Sequence, residues 1–270
     1  MTTTEPEIGQ ANHDGVAIHF EVIGDGPPLV LQHGRLGSGR FWFDAGYVRA
    51  MAGEHRLVVV DARGHGRSDK PTDPSAYRPE AMAGDIVAVL DELAIERADL
   101  FGYSMGGRIG FATATHFGAR IHALVSGGAG PYGQARSAEA ERELADTLAG
   151  GMEAYLTSME RMLERTIPAP DRERLLANDA EALAALATAT ADWPPMVDAL
   201  VDRVEPMLLF GGTGDPIWPL IERAAAAFPT AELRAVGPFG HGEDLRRPDL
   251  VLPIVTDFLR TNGLAATSGS

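Results

Sequence analysis

The chain has 270 residues, 45% hydrophobic and 23% charged, the composition of a folded globular protein rather than a disordered or fibrous one. Its net charge of −15 repels phosphate backbones and anionic lipid, so neither nucleic acid nor a membrane surface is an expected partner. Cysteine is absent, which excludes disulfides, thiolate nucleophiles and Cys-based metal sites.

The first ten residues carry no basic start and no apolar run, and no stretch of about 18 apolar residues follows. No secretory leader is expected, and the expected location is the cytoplasm. Asp14-Gly15 is a two-residue turn signal. After it Val16, Ile18, Phe20 and Val22 alternate with Ala17, His19 and Glu21, the period of a half-buried strand in a hairpin. Short Val- and Leu-rich runs follow at Leu29 to Leu31 and Leu57 to Val60. Met82, Ile86, Val89, Leu90 and Leu93 then recur at helical spacing, which predicts a helix over 80–93. Strands are expected at 98–101 and 124–125, with a helix at 105–115 between them. Later segments read as a strand at 207–210, a strand at 232–236 and a helix at 248–260. Unbroken apolar runs suit strands buried on both faces of a parallel sheet, and alternation with helices implies βαβ units. The fold class is therefore α/β, a mostly parallel sheet with helices on both faces. The last residues, 265–270, are small and polar and are expected to fray.

One region interrupts the alternation. From about Pro131 to Arg203 helix formers dominate and no strand pattern appears. Met152, Tyr155, Leu156, Met159, Met162 and Leu163 form an apolar stripe at spacings of three and four. Pro168 and Pro170 are expected to end that helix, and Asn178 with Glu181 reads as a capping box for the next. Asp192-Trp193-Pro194-Pro195 then punctuates before another helix. The expected organisation is a core from 1–130 and 204–264, with a helical cap over 131–203.

Gly102-Tyr103-Ser104-Met105-Gly106 has the form G-x-S-x-G between a strand and a helix, the setting of a nucleophile elbow. A serine hydroxyl needs a base. His241, in the glycine-rich loop between the 232–236 strand and the last helix, is the expected base. His13, His19, His55, His65, His116 and His122 read as structural. Asp215, in the loop after the 207–210 strand, is the expected acid that orients the imidazole, and the chain order Ser, Asp, His suits this fold. Glu243 and Asp244, close to His241, remain open as alternatives. An oxyanion needs backbone donors. The amide of Met105 and that of Arg35, in the loop His33-Gly34-Arg35-Leu36-Gly37-Ser38-Gly39, are assigned to it. His33 is expected to orient that loop by hydrogen bonding, and the direction of the Arg35 side chain is left open.

These motifs resemble the α/β-hydrolase fold family over nearly the whole length. Asp61-Ala62-Arg63-Gly64-His65-Gly66-Arg67-Ser68 is similar to the D-x-R-G-x-G-x-S turn of its esterase, perhydrolase and C–C hydrolase branch, and Leu90-Asp91-Glu92-Leu93 also matches. The resemblance implies an inserted cap and a serine carboxylesterase or lactonase that works through an acyl-enzyme on a small apolar ester or lactone. No organic cofactor and no metal are expected. A C–C hydrolase or a cofactor-free perhydrolase or haloperoxidase is the alternative activity, and a weakly catalytic ligand receptor the alternative class. Serine in place of aspartate at the elbow argues against epoxide and carbon–halogen chemistry, and Arg35-Leu36 departs from a His-Gly-Gly-Gly loop. Arg246-Arg247-Pro248 stands where relatives often carry a glutamate before the proline. A cap over the carboxyl ends of the strands would line the substrate pocket, so Tyr155, Met159, Trp193 and Trp218 are the expected substrate contacts.

Overall fold

The computed structural model describes residues 5–133 and 137–264, so the tail at 265–270 lies outside the described residues. Eight strands form one sheet: β1 (Glu7–His13), β2 (Val16–Ile23), β3 (Pro28–Gln32), β4 (Arg56–Val60), β5 (Ala98–Tyr103), β6 (Ile121–Gly127), β7 (Met207–Gly211) and β8 (Ala231–Ala235). Their spatial order is β1-β2-β4-β3-β5-β6-β7-β8. The β1–β2 hairpin and the β2–β4 pair are antiparallel, and every pair from β4 to β8 is parallel.

The apolar runs are continuous because alternate residues serve two cores. Val30, Val58, Leu100, Leu124 and Leu209 face one layer. Leu31, Val59, Phe101, Val125 and Phe210 face the other. Short α1 (Arg40–Asp44) and α2 (Tyr47–Met51), which the sequence reading did not resolve, bring Trp42 and Tyr47 to the second face. Helices α3 (Pro79–Glu92) and α4 (Met105–Phe117) cover the first through Ile86 and Ile109. Burying a side chain of this size contributes roughly 1.5–3 kcal/mol, so these paired layers are the main stabilising element.

Between β6 and β7 the chain leaves the sheet for α5 (Ala138–Ala149), α6 (Met152–Leu163), α7 (Ala169–Leu176), α8 (Ala180–Ala191) and α9 (Val197–Leu200). Two local expectations are corrected here. The helix α6 stops at Glu164 in the left-handed region (φ 49°), before either proline, and Pro168 and Pro170 instead open α7. The cap of α8 is Asp179, whose carboxylate accepts the Ala182 amide at 2.9 Å. Asn178, one residue earlier, instead donates to the Leu175 carbonyl. After β7 come α10 (Trp218–Ala227) and α11 (Pro248–Asn262), the latter packing Val255 and Phe258 onto the second core. Among the described residues no helix is long and apolar enough to cross a membrane.

Asp99 lies fully buried in β5, and its carboxylate accepts the Leu264 amide at 2.9 Å. Burial pushes its pKa up to about 7, opposed by the amide. The folded value thus exceeds the unfolded one. The associated stability is complete below about pH 4 and is lost as pH rises through about 7. Asp99→Asn keeps an acceptor for Leu264 and removes the buried charge. Thermal melts should show the variant a few degrees above wild type at pH 8, with no such gain at pH 4.

Candidate active site

The turn between β5 and α4 places Ser104 at φ 55° and ψ −115°, a strained conformation for a residue with a side chain. The turn closes because its neighbours lack a Cβ. One added at Gly102 would lie 2.2 Å from the Gly106 carbonyl oxygen, and one at Gly106 would lie 2.1 Å from that of Gln32. The Ser104 amide donates to the Gly127 carbonyl at 2.8 Å, which ties the turn to β6.

Two loops from distant parts of the chain meet the serine. His241 Nε2 lies 2.8 Å from Ser104 Oγ, and Nδ1 lies 2.6 Å from Asp215 Oδ2. With the proton on Nδ1 donated to Asp215, Nε2 accepts from the serine hydroxyl. Asp215 is buried, and its other oxygen accepts the Ile217 amide at 3.0 Å. The two loops interlock, since the Thr213 amide donates to the Gly237 carbonyl and the Gly214 amide to that of Phe239.

The neighbouring acids do other work. Glu243 accepts the Gly240 amide at 2.8 Å within its own loop. Asp244 is fully buried and accepts from the Tyr103 hydroxyl (2.5 Å), the Leu245 amide (2.8 Å) and the Gly212 amide (3.1 Å). The Tyr103 hydroxyl in turn accepts the Gly242 amide at 2.7 Å. Burial pushes the Asp244 carboxyl up, against these donors. The side chain joins the strand before Ser104, the loop of Asp215 and the loop of His241.

The His33 loop packs against the elbow. A Cβ on Gly34 would lie 3.3 Å from that of Ser104. His33 holds the loop as a neutral ring: Nδ1 donates to the Gly34 carbonyl at 2.8 Å and Nε2 accepts the Ala62 amide at 3.1 Å. Burial lowers its pKa, which keeps it neutral. Asp61 fixes the far end by accepting the Gly39 amide at 2.6 Å and the Arg67 amide at 2.8 Å. The amides of Arg35 and Met105 make no hydrogen bond among the described residues, and both residues line the same cavity as Ser104. The Arg35 side chain, left open by the sequence, reaches across to the helices after β6. Its guanidinium meets Glu141 of α5 at 2.9 Å and donates to the Thr190 hydroxyl of α8 at 2.9 Å.

A cavity of about 400 Å³ opens onto Ser104 and His241. Tyr155 and Trp193 line it, whereas Met159 and Trp218 do not. Met159 packs with Leu156, Ile167 and Leu175 in a small separate cluster, because its place on α6 faces α7. Trp218 packs on the core at the start of α10, against Gly211. A larger depression of about 560 Å³, beyond Leu36, touches none of the serine, histidine or aspartate. Sequence reasoning missed Arg108, which is buried at the cavity wall. An arginine four residues after the elbow serine, the one charged residue in the first two turns of α4, was the available signal. Among the described residues no group of three or more His, Asp or Glu side chains is arranged to hold a metal ion.

A sequence model of the α/β hydrolase fold matches residues 27–175. The chain belongs to the α/β-hydrolase fold family and is an enzyme of it. It is 29% identical over 267 residues to a Bacillus subtilis protein named as a 2-succinyl-6-hydroxy-2,4-cyclohexadiene-1-carboxylate synthase, covering 91% of this chain and 96% of that one. Among solved structures it is similar to a hydrolase from Pseudomonas aeruginosa, with 25% identity, a TM-score of 0.83, and coverage of 94% and 98% of the two chains. It is also similar to the enol-lactonase from Burkholderia xenovorans, with 25% identity, a TM-score of 0.82, and coverage of 93% and 99%.

The geometry separates the three acids near His241. Asp215→Asn should leave the melting temperature nearly unchanged and lower kcat by about 10⁴-fold, since the imidazole then takes the wrong tautomer. Asp244→Asn replaces one of the two accepting oxygens by an amide donor, which then faces either the Gly212 N–H or the Tyr103 and Leu245 donors, so it should lower the melting temperature by several degrees and cut kcat far less. Parallel melts and ester kinetics on the two variants check the assignment.

Proposed function

We propose that this enzyme hydrolyses a carboxylic ester or lactone through an acyl-serine intermediate. The observation that carries the reading is the hydrogen-bonded line from Ser104 Oγ through His241 to buried Asp215, at the floor of a cavity. Ser104 Oγ attacks the carbonyl carbon while His241 Nε2 takes the hydroxyl proton. The negative charge passes to the carbonyl oxygen, where the amides of Met105 and Arg35 receive it. Met105 is the first residue of α4, so the helix dipole adds to that stabilisation. The carbonyl re-forms as the C–O bond breaks, and His241 returns the proton to the departing alkoxide. Water then attacks the acyl-serine with the same histidine as base, which releases the acid and restores Ser104. In a lactone the alcohol and the acid remain one molecule.

The helices between β6 and β7 act as a cap that shapes the substrate space and takes no part in bond breaking. Two of their side chains, Tyr155 and Trp193, reach the cavity. Trp193 is pinned by its indole N–H, which donates to the Tyr77 carbonyl at 2.9 Å. The enol-lactonase likeness supports an ester or lactone substrate, and the word carboxylate in the synthase's name supports an acidic group near the reacting bond.

Ser104→Ala should lose at least about 10⁴-fold in kcat on a nitrophenyl ester, because the serine and its base act as a unit. An organophosphate should add once, and peptide mass mapping should find it on Ser104. Full activity in the variant, or an adduct elsewhere, overturns the reading.

The cap has its own test. Tyr155→Ala should move the kcat/KM ratio between short and long acyl esters by about tenfold, the worth of a methylene or two in a pocket. Met159→Ala, outside the cavity, should leave that ratio where it was. Equal ratios in both variants would put the specificity pocket elsewhere.

A further inference from the structure

Arg108 is 4% exposed, yet none of its three guanidinium nitrogens has a hydrogen-bond partner among the described residues. Such a group is costly. A guanidinium carries five N–H donors, and a charge moved out of water is normally paired. The Arg108 guanidinium carbon lies over the Trp193 ring, 5.0 Å from its centroid, a cation–π contact that satisfies no N–H. Burial lowers its pKa to about 10, so the group stays charged at neutral pH.

The surroundings show what is missing. Arg108 follows Ser104 by one helical turn, its amide donating to the Ser104 carbonyl at 3.0 Å, and its side chain lines the same cavity as Ser104 and His241. Among the described residues the cavity wall has one other cation and one other carboxylate outside the catalytic pair, Arg35 and Glu141. These are already joined: Glu141 Oε2 takes Arg35 Nη1 at 2.9 Å and the Thr190 hydroxyl at 3.1 Å. Two cations thus share one carboxylate: Glu141 acts on Arg108 through its charge but makes no hydrogen bond to it, and the Arg108 donors stay buried and unpartnered at the wall of the cavity. A planar carboxylate matches the guanidinium fork in both charge and shape.

We propose that the substrate carries a free carboxylate besides the bond that is cleaved, and that Arg108 binds it. This narrows the wholly apolar ester expected from sequence, and it rests on the hydrolase reading given above. Arg108 is a binding group for the part of the substrate that does not react. It anchors that part so that the ester carbonyl meets Ser104.

The experiment uses monoesters of 4-nitrophenol with aliphatic dicarboxylic acids of increasing length, each with the distal carboxyl free or methylated. For the best-fitting length, wild type should favour the free acid in kcat/KM by on the order of 100-fold, the worth of charge-assisted bonds to a buried partner. Arg108→Met keeps the length of the stem and should bring that ratio close to one, and Arg108→Lys should restore part of it. A second measurement needs no turnover: calorimetry of the unesterified dicarboxylic acid with the Ser104→Ala protein, with and without Arg108→Met. Binding that vanishes with Arg108→Met supports the proposal even if no ester is hydrolysed, in which case the hydrolase reading alone fails. Rapid hydrolysis of the esters with equal rates for free and methylated forms in wild type overturns the proposal and leaves the hydrolase reading standing. A preference for the free acid that survives in Arg108→Met also overturns it.

Discussion

The sharp turn at Ser104 is the constraint on which the site depends. A residue with a side chain is held at φ 55°, at a cost on the order of 1–3 kcal/mol, and only glycines on either side let the backbone close that tightly. The turn has three consequences. It lifts the hydroxyl above the carboxyl end of β5, the crevice such sheets offer to ligands. It starts α4 at once, so the Met105 amide opens the helix beside the hydroxyl. It also sets the phase of α4, which brings Arg108 to the cavity wall one turn later.

That turn would be idle without loops held firmly around it. Asp244 supplies the firmness on one side, with bonds to the elbow strand through Tyr103, to the acid loop through Gly212 and to its own loop through Leu245. On the other side His33 and Asp61 pin the loop that carries Arg35. Buried polar groups of this kind are costly unless every partner is present. Asp244 and His33 meet that condition through backbone amides and carbonyls, whose positions the sheet already fixes. The buried arginine Arg63 is satisfied in the same way, by Asp85 at 2.5 Å and by the Ala76 carbonyl at 2.6 Å. Set against these, Arg108 stands out as a buried guanidinium with no hydrogen-bond partner for any of its three nitrogens among the described residues.

The parts of this structure legible in the sequence are those fixed by local pattern. The runs at Leu29, Leu57 and Met207 read as buried parallel strands because a strand between two cores has no polar face. Ser104, His241 and Asp215 were legible because glycine-rich loops after strands leave a signature, and the structure brings the three within hydrogen-bonding distance. Where the reading went astray, partners distant in sequence made the choice. Asn178 and Asp179 are both good capping residues, and the chain uses Asp179 while Asn178 serves the preceding helix. Met159 lies on the same apolar stripe as Tyr155, but α7 and Ile167 cover it. Trp218 sits close to Asp215 in sequence, yet the start of α10 turns it toward Gly211 and the core. Arg108 escaped notice because its burial, the property that makes it unusual, depends on Trp193 more than eighty residues away.

The contact between Arg35 and Glu141 ties the loop beside the elbow to the helices after β6. Arg35 contributes its amide to the loop beside Ser104, and its side chain is gripped by α5 and α8. Any shift of those helices is therefore felt in the loop. The same helices supply cavity wall through Glu141 and Leu144 of α5 and Thr190 of α8, beside Tyr155 of α6 and Trp193 just beyond α8, and the Arg108 guanidinium lies over the Trp193 ring. Glu141 makes the arrangement selective. It holds Arg35 in an ion pair facing the helices, which leaves Arg108 as the positive pole facing the ligand. Had Glu141 paired with Arg108 instead, the wall would keep the same net charge, now carried by Arg35, and the Arg35 loop would lose its tie to the helices. The pairing actually adopted gives one guanidinium the task of holding the loop and leaves the other for the ligand.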